Sequence, residues 1–201
     1  APIAAETTTA EIRPSASNNI DEFISECRDM LYTLHKENRD LSLVCSPVNP
    51  VDTANLRHYV TNNAIVGCKD EDKQINYYDN MYLPVLNRTL ILPDNNRTQG
   101  GHFWLEPLDK TRVEELIKLL DLLVGLPSVI LFPNEKEAER RVKYGKAGNY
   151  RTRDGLVEYR VLSSSVMKHP EILRNFLLMI HWINNHFNHI WAWTMKKEVR
   201  E

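Results

Sequence analysis

Glu158-Tyr159-Arg160 is the tightest grouping of reactive side-chain types in this 201-residue chain. On a strand, alternate side chains share a face, so Glu158 and Arg160 point one way and Tyr159 the other. A carboxylate beside a guanidinium suits a nucleotide-and-metal site. It equally suits a surface ion pair, which contributes only about 0–1 kcal/mol. Just upstream, Arg140-Arg141-Val142-Lys143-Tyr144-Gly145-Lys146-Ala147-Gly148-Asn149-Tyr150-Arg151 gathers cationic side chains and backbone N–H groups in a glycine-punctuated loop. That chemistry suits bound phosphate. Arg13 and Arg151 carry the planar fork that clamps phosphate with two parallel bonds, and ordinary ion pairing is the competing use. His102, after two glycines, can contact a metal or phosphate because the backbone there approaches closely.

Other groups tempt less. His181, His186 and His189 crowd one segment, but only His186 and His189 stand in a helical i, i+3 relation and no carboxylate joins them. A polar helix face, with Ile183, Phe187 and Ile190 turned inward, is the preferred reading. Trp182, Trp191 and Trp193 read as packing or interaction residues.

Charge and composition narrow the function classes. The formal net charge is −2, so any anion site is local, and counterion release on nucleic acid would be small. Nucleic acid is therefore disfavoured, although Tyr144 and Tyr150 beside the basic run could stack on bases. No apolar run reaches the ~18 residues that cross a bilayer, and a basic-then-apolar leader is absent from the sequence given. Cys27, Cys45 and Cys68 are sparse and odd in number, which suits reduced thiols in a cytoplasmic protein. The sequons at Asn87 and Asn96 then carry no weight.

The elements that must hold these residues are legible in part. Glu6-Thr7-Thr8-Thr9-Ala10-Glu11-Ile12-Arg13-Pro14 predicts a strand ended by Pro14. Ile20, Phe23, Ile24, Cys27, Leu31 and Leu34 recur at helical spacing and predict a helix over residues 19–38. Residues 41–45 read as a short strand that Pro47 and Pro50 end. Residues 51–99 are rich in Asn, Asp, Tyr and Pro and read as long loops with strand-like patches around Ile65 and Leu90. Val113, Leu116, Ile117, Leu120 and Leu123 predict a second helix, from Asp109 or Thr111 to a stop at Gly125 with Pro127 beyond. Ser128 to Phe132 reads as helix or strand, Glu135 to Val142 as a short charged helix, and Leu156 to Leu162 as the best-defined strand. A last long helix starts near Pro170 and runs to about residue 191. Strands and helices interleave without regular βαβ spacing, so the fold class is α+β, with helices on one face of an antiparallel sheet.

Five motifs now stand in order: Ala10-Glu11-Ile12-Arg13-Pro14, Val66-Gly67-Cys68-Lys69-Asp70, Gly100-Gly101-His102, Leu120-Asp121-Leu122-Leu123-Val124-Gly125-Leu126-Pro127-Ser128, and Tyr144 to Arg151 running on through Glu158-Tyr159-Arg160. In this combination the chain resembles the phage-type (type 2) amidoligases, carboxylate–amine ligases of the superfamily with the glutamine synthetase fold. The resemblance implies a curved antiparallel sheet whose concave face holds ATP and Mg²⁺, within a single amidoligase-like domain over residues 1–201. It implies metal ligation by Glu11, His102 and Glu158. It also implies phosphate or nucleotide binding by Arg13, Lys143, Lys146, Arg151 and Arg160, with Glu158, Arg160 and Arg151 catalytic. Mg²⁺ favours carboxylate oxygens, and phosphoryl transfer needs charge neutralisation more than covalent chemistry. The implied reaction phosphorylates a peptide or small-metabolite carboxylate and lets an amine displace the phosphate, in the host cytoplasm or, for an inactive relative, in the virion.

Two features depart from the family pattern. Nothing before Glu6 matches its acidic first strand, which points to the C-terminal portion of a longer protein, or to a partner chain or homo-oligomer that supplies the strand. Trp104 stands where the family carries a second histidine. On this reading Arg160→Lys impairs turnover. Glu158→Gln weakens Mg²⁺-dependent nucleotide binding with little effect on folding.

Overall fold

The computed structural model describes residues 3–6, 9–40, 44–50, 74–76, 81–83, 96–133 and 135–195. The threonine-rich run forms a strand as its β-branching predicts, β2 (Thr9–Ile12), paired antiparallel with β1 (Ile3–Glu6). This pair is separate from the main sheet, which corrects the expectation that Glu11, His102 and Glu158 share one sheet. Leu43, the fourth strand centre expected there, lies outside the described residues, as do the patches around Ile65 and Leu90.

Helix α1 spans Ile20–Glu37, and the Asn19 side chain accepts from the N–H groups of Asp21 and Glu22. Such a cap satisfies donors that have no partner inside the helix. The apolar stripe seen in the sequence lays Ile20, Phe23 and Ile24 against the core. The next strand, β3 (Val48–Pro50), begins after Pro47 instead of ending before it. It tolerates Pro50 because among the described residues its partner in a two-stranded pair is β6 (Asn96–Thr98) and none of them needs a ladder donor on its other edge.

The main sheet has five antiparallel strands. They are β4 (Gln74–Asn76), β5 (Met81–Leu83), β7 (Phe103–Leu105), β8 (Asn149–Arg153) and β9 (Leu156–Tyr159), in the spatial order β5-β4-β8-β9-β7. Strands β8 and β9 meet through Asp154-Gly155, with φ of 53° and 79°. Two successive residues of positive φ make the tight turn whose twist suits a hairpin. The turn sets the register Arg151↔Glu158 and Tyr150↔Tyr159, while β7 adds Trp104↔Glu158 and Phe103↔Tyr159. One sheet face therefore carries Trp104, Glu158 and Arg151 in a row, and the other carries Phe103, Tyr159 and Tyr150.

The second face packs against the helices. Helix α2 (Val113–Leu120) runs without a break into a π turn (Asp121–Gly125) and then α3 (Leu126–Leu131). Gly125 was the expected stop, yet its φ of −61° is helical and the chain continues through Pro127 into α3. Ser128 to Leu131 is accordingly helix. The charged helix α4 (Glu135–Lys143) follows, and after the hairpin a 3-10 turn (Ser164–Lys168) leads to α5 (Pro170–Asn185) and α6 (Phe187–Thr194). The predicted last helix thus breaks at His186, whose Nδ1 lies 3.0 Å from the carbonyl oxygen of Trp182. Its apolar stripe packs as expected: Phe176, Ile180, Ile183, Phe187 and Ile190 join Ile117, Leu120, Val124, Val157, Tyr159 and Leu162 in one core. His181, His186 and His189 stay on the exposed side. The architecture is α+β, with α1, α2, the π turn, α5 and α6 gathered around one core.

Candidate functional site

Opposite that core, Glu158 sits at the centre of a cationic cage. Its side chain is only 3% exposed and Arg160 only 1%. Oxygen Oε2 is paired with Nη1 of Arg160 and with Nε of Arg151, and Oε1 accepts from Arg151 Nη2 at 3.4 Å. His102 brings Nδ1 to 3.2 Å from the same Oε1. Its other nitrogen, Nε2, lies 2.6 Å from the hydroxyl of Tyr144, which also accepts from Arg160 Nη2. The Arg151 guanidinium lies 5.0 Å from the ring of Trp104 and the Arg160 guanidinium 5.0 Å from that of Tyr144, both cation–π distances. Glu158, Arg160, Arg151, His102, Tyr144 and Trp104 thus form one connected constellation.

Elements from four parts of the chain converge here. Strand β9 and its next residue supply Glu158 and Arg160, and Arg160 N–H continues the ladder to Asn149 at 3.1 Å. Strand β8 supplies Arg151, β7 and its lead-in supply Trp104 and His102, and the loop after α4 supplies Tyr144. The loop is held by members of the basic, glycine-punctuated run whose composition suits bound phosphate. Arg140, fully buried, donates through Nε to the carbonyl of Gln99 at 2.8 Å, through Nη1 to Val161 at 2.9 Å and through Nη2 to Leu162 at 2.7 Å. The N–H of Gly148 donates to Asp121 Oδ2 at 2.7 Å, and Tyr159 donates to Oδ1 of the same carboxylate at 2.8 Å. The π turn delivers that buried Asp121, in keeping with the frequency of π turns at functional sites. Two parts of the expected phosphate cradle, Arg140 and the Gly148 N–H, therefore serve as scaffolding.

Lys146 is exposed on the loop, and Arg13 is exposed just beyond β2. The side chains of Glu11 and Lys143 lie outside the described ones. Sequence reading gave Tyr144 only a base-stacking role and Asp121 only a place in a motif. Asp121 does carry a signal, an acidic residue inside the apolar run Leu119 to Val124, whereas nothing about Tyr144 except its place in the loop points to it.

Burial alone would raise the Glu158 pKa. The hydrogen bond from His102 and the charges of His102, Arg160 and Arg151 outweigh it and hold the carboxyl at about 2. Burial pushes His102 below its ordinary value, with help from the Arg160 and Arg140 charges and against the pull of Glu158. His102 is then neutral at pH 7, and the ionised Glu158 is held there by the two guanidiniums and the Nδ1–H bond. Both shifts have the same sign. The native state binds fewer protons than the unfolded chain, so both contributions are present above the unfolded values and fade as pH falls. Stability is expected to drop from about pH 6.5 downward through His102, and again from about 4.5 toward 2 through Glu158. Urea midpoints at pH 7, 5 and 3 check this, with His102→Gln flattening the upper step.

As they stand, these groups do not fit a resident divalent cation. Both Glu158 oxygens face cations, both His102 nitrogens are engaged, and among the described residues no cluster of three metal-ligating side chains occurs. What the constellation does hold is a buried anion between two arginines, bordered by a histidine–tyrosine pair and a half-exposed indole.

Over residues 91–201 the chain matches the model of the phage phiEco32-like COOH.NH2 ligase type 2 family. The match covers more than half of the chain and all six residues of the constellation, and the chain belongs to this family. No curated protein and no solved structure matches it.

Proposed function

We propose that the protein is an ATP- and magnesium-dependent carboxylate–amine ligase that forms an amide on a peptide or small-metabolite carboxylate. The observation that carries this reading is the Arg151–Glu158–Arg160 cage inside the family-matched region. Two planar forks on one sheet face suit the oxygens of a phosphoryl or carboxylate group. On this reading Arg151 and Arg160 hold phosphate oxygens, Lys146, Lys143 and Arg13 add positive charge at the nucleotide, and Glu158 fixes the two forks. Magnesium is carried on the nucleotide's phosphates, since Mg²⁺ is usually held by one or two carboxylates plus substrate phosphates. Glu11 is the candidate carboxylate. A glutamine synthetase-like sheet, a single domain and a place in the host cytoplasm belong to the same proposal.

The test measures ADP formation from Mg·ATP with a pool of dipeptides and dicarboxylic amino acids, with ammonium or hydroxylamine as the amine. ADP release that needs both carboxylate and amine is the expected result. ADP release indifferent to both co-substrates would defeat the reading.

A further inference from the structure

The positions around Glu158 on its own sheet face hold no second carboxylate. Directly across in register stand Trp104 on β7 and Arg151 on β8, and two residues away along the chain stand Leu156 and Arg160. An indole and a guanidinium have no lone pair to offer a metal, and an alkyl side chain has none either. Only His102 brings a ligand atom, with Nδ1 3.2 Å from Glu158 Oε1. Zinc takes roughly three or four protein ligands and Ca²⁺ about six to eight oxygens, more than one carboxylate and one imidazole provide. Mg²⁺ makes do with fewer, but it bonds at about 2.0–2.1 Å. On either oxygen of Glu158 it would lie against the guanidinium groups that hold that oxygen. Like charges at that range repel strongly where water is scarce, and the Glu158 side chain is 3% exposed. The Trp104 ring, 5.0 Å from the Arg151 guanidinium, favours the cation that already sits there.

We propose that Trp104 and Arg151 exclude divalent cations from Glu158 and His102, and that Glu158 acts as a fixed counter-ion for two guanidiniums instead of a metal ligand. The inference goes beyond the ligase reading and does not depend on it. The two residues exclude by different means. Arg151 supplies repulsion and takes up both carboxylate oxygens, Oε2 through Nε and Oε1 through Nη2. Trp104 fills the cross-strand position from which a further ligand would reach the same carboxylate. Arg160 is the counter-charge that remains if Arg151 is removed, since its Nη1 is paired with Oε2. Oε1 would then face His102 alone among the described residues. A ligating side chain at position 104 would share a sheet face with that oxygen and complete a set of three.

The test uses the whole chain, with Mn²⁺ as the probe and no nucleotide. In ¹⁵N-labelled protein the indole N–H signals of Trp104 and Trp193 are identified by their loss in Trp104→Phe and Trp193→Phe. Bound Mn²⁺ broadens the signals of nearby protons. Excess Mn²⁺ should leave the Trp104 signal no broader than that of Trp193, which stands on α6. Selective broadening of Trp104 would place the cation in the cage and overturn the proposal. A second arm removes both means of exclusion at once. Trp104→His combined with Arg151→Gln should bind Mn²⁺ at least about tenfold more tightly than the parent, read from the electron paramagnetic resonance of free Mn²⁺. Each single substitution should give a smaller gain. Unchanged affinity in a folded double variant would show that these two residues do not exclude the cation. The first arm measures the unaltered protein, so it decides the matter should the double variant fail to fold. Neither arm contains nucleotide: a failure here leaves the ligase reading to the ADP assay, and a failure there leaves this inference standing.

Discussion

Arg140→Ala is expected to cost roughly 3–5 kcal/mol, a large part of the 5–15 kcal/mol that holds a typical domain together. The guanidinium reaches the carbonyls of Gln99, Val161 and Leu162, and at 3.4 Å that of Arg160, so it ties the lead-in to β7 to the chain that leaves β9. Truncation leaves those acceptors facing a cavity, and each unsatisfied buried carbonyl costs about 1–3 kcal/mol, not additively. Burial lowers the Arg140 pKa to about 10, so it remains charged at neutral pH. Arg140→Lys keeps that charge but cannot span carbonyls on separate segments, and should recover less than half of the loss. Gly145→Ala attacks the same joint from outside, because a Cβ there would run into the Arg140 guanidinium at a backbone φ of +74°. Urea denaturation of the three variants tests the ranking. A midpoint for Arg140→Ala within error of the parent would remove the scaffold role.

The second large effect falls on Glu158. Its sequence position suggested that Glu158→Gln would weaken ligand binding with little change in folding. Burial reverses the second half of that expectation. A neutral amide in place of the carboxylate would leave Arg160, 1% exposed, and Arg151, 14% exposed, without their shared counter-charge. Removing one partner of a buried ion pair costs about 3–5 kcal/mol. Pairing Glu158→Gln with Arg160→Met should return part of the loss, because the uncompensated charge goes too. A double-mutant cycle by chemical denaturation measures the coupling, expected at ~1–3 kcal/mol. A coupling near zero would return Glu158 and Arg160 to the rank of a surface pair.

These outcomes show what a sequence can carry. The long amphipathic helices were legible because Ile20, Phe23, Ile24 and later Phe176, Ile180 and Ile183 repeat at 3.6-residue spacing. The shared face of Glu158 and Arg160 was legible from strand alternation. Strand β8 was not, since Asn149 to Arg153 has the composition of a polar loop. The Asp154-Gly155 pair was its available signal. Register placed Arg151 opposite Glu158, and only tertiary packing brings His102 and Tyr144 to the same carboxylate. Arg140 was read only as part of a basic run suited to phosphate, because a sequence shows charge but not what the charge is buried against. The helix stop at Gly125 failed for a related reason, since packing of Val124 and Leu120 carries the chain past a glycine that can remain helical.

The tight turn at Asp154-Gly155 also has a kinetic consequence. Hairpins of this kind close in about 1–10 μs, so Arg151 and Glu158 can meet as soon as β8 and β9 zip. His102 belongs to the other end of a stretch that includes three helices, and β7 can dock on β9 only once that long loop has closed. The charged pair is therefore assembled before the imidazole arrives, and a chain stalled at that stage would hold the arginines in register while exposing the unpaired edge of β9. A slow refolding phase that is lengthened by substitutions at Trp104 or Phe103, and not by those in the hairpin turn, is the signature of that order.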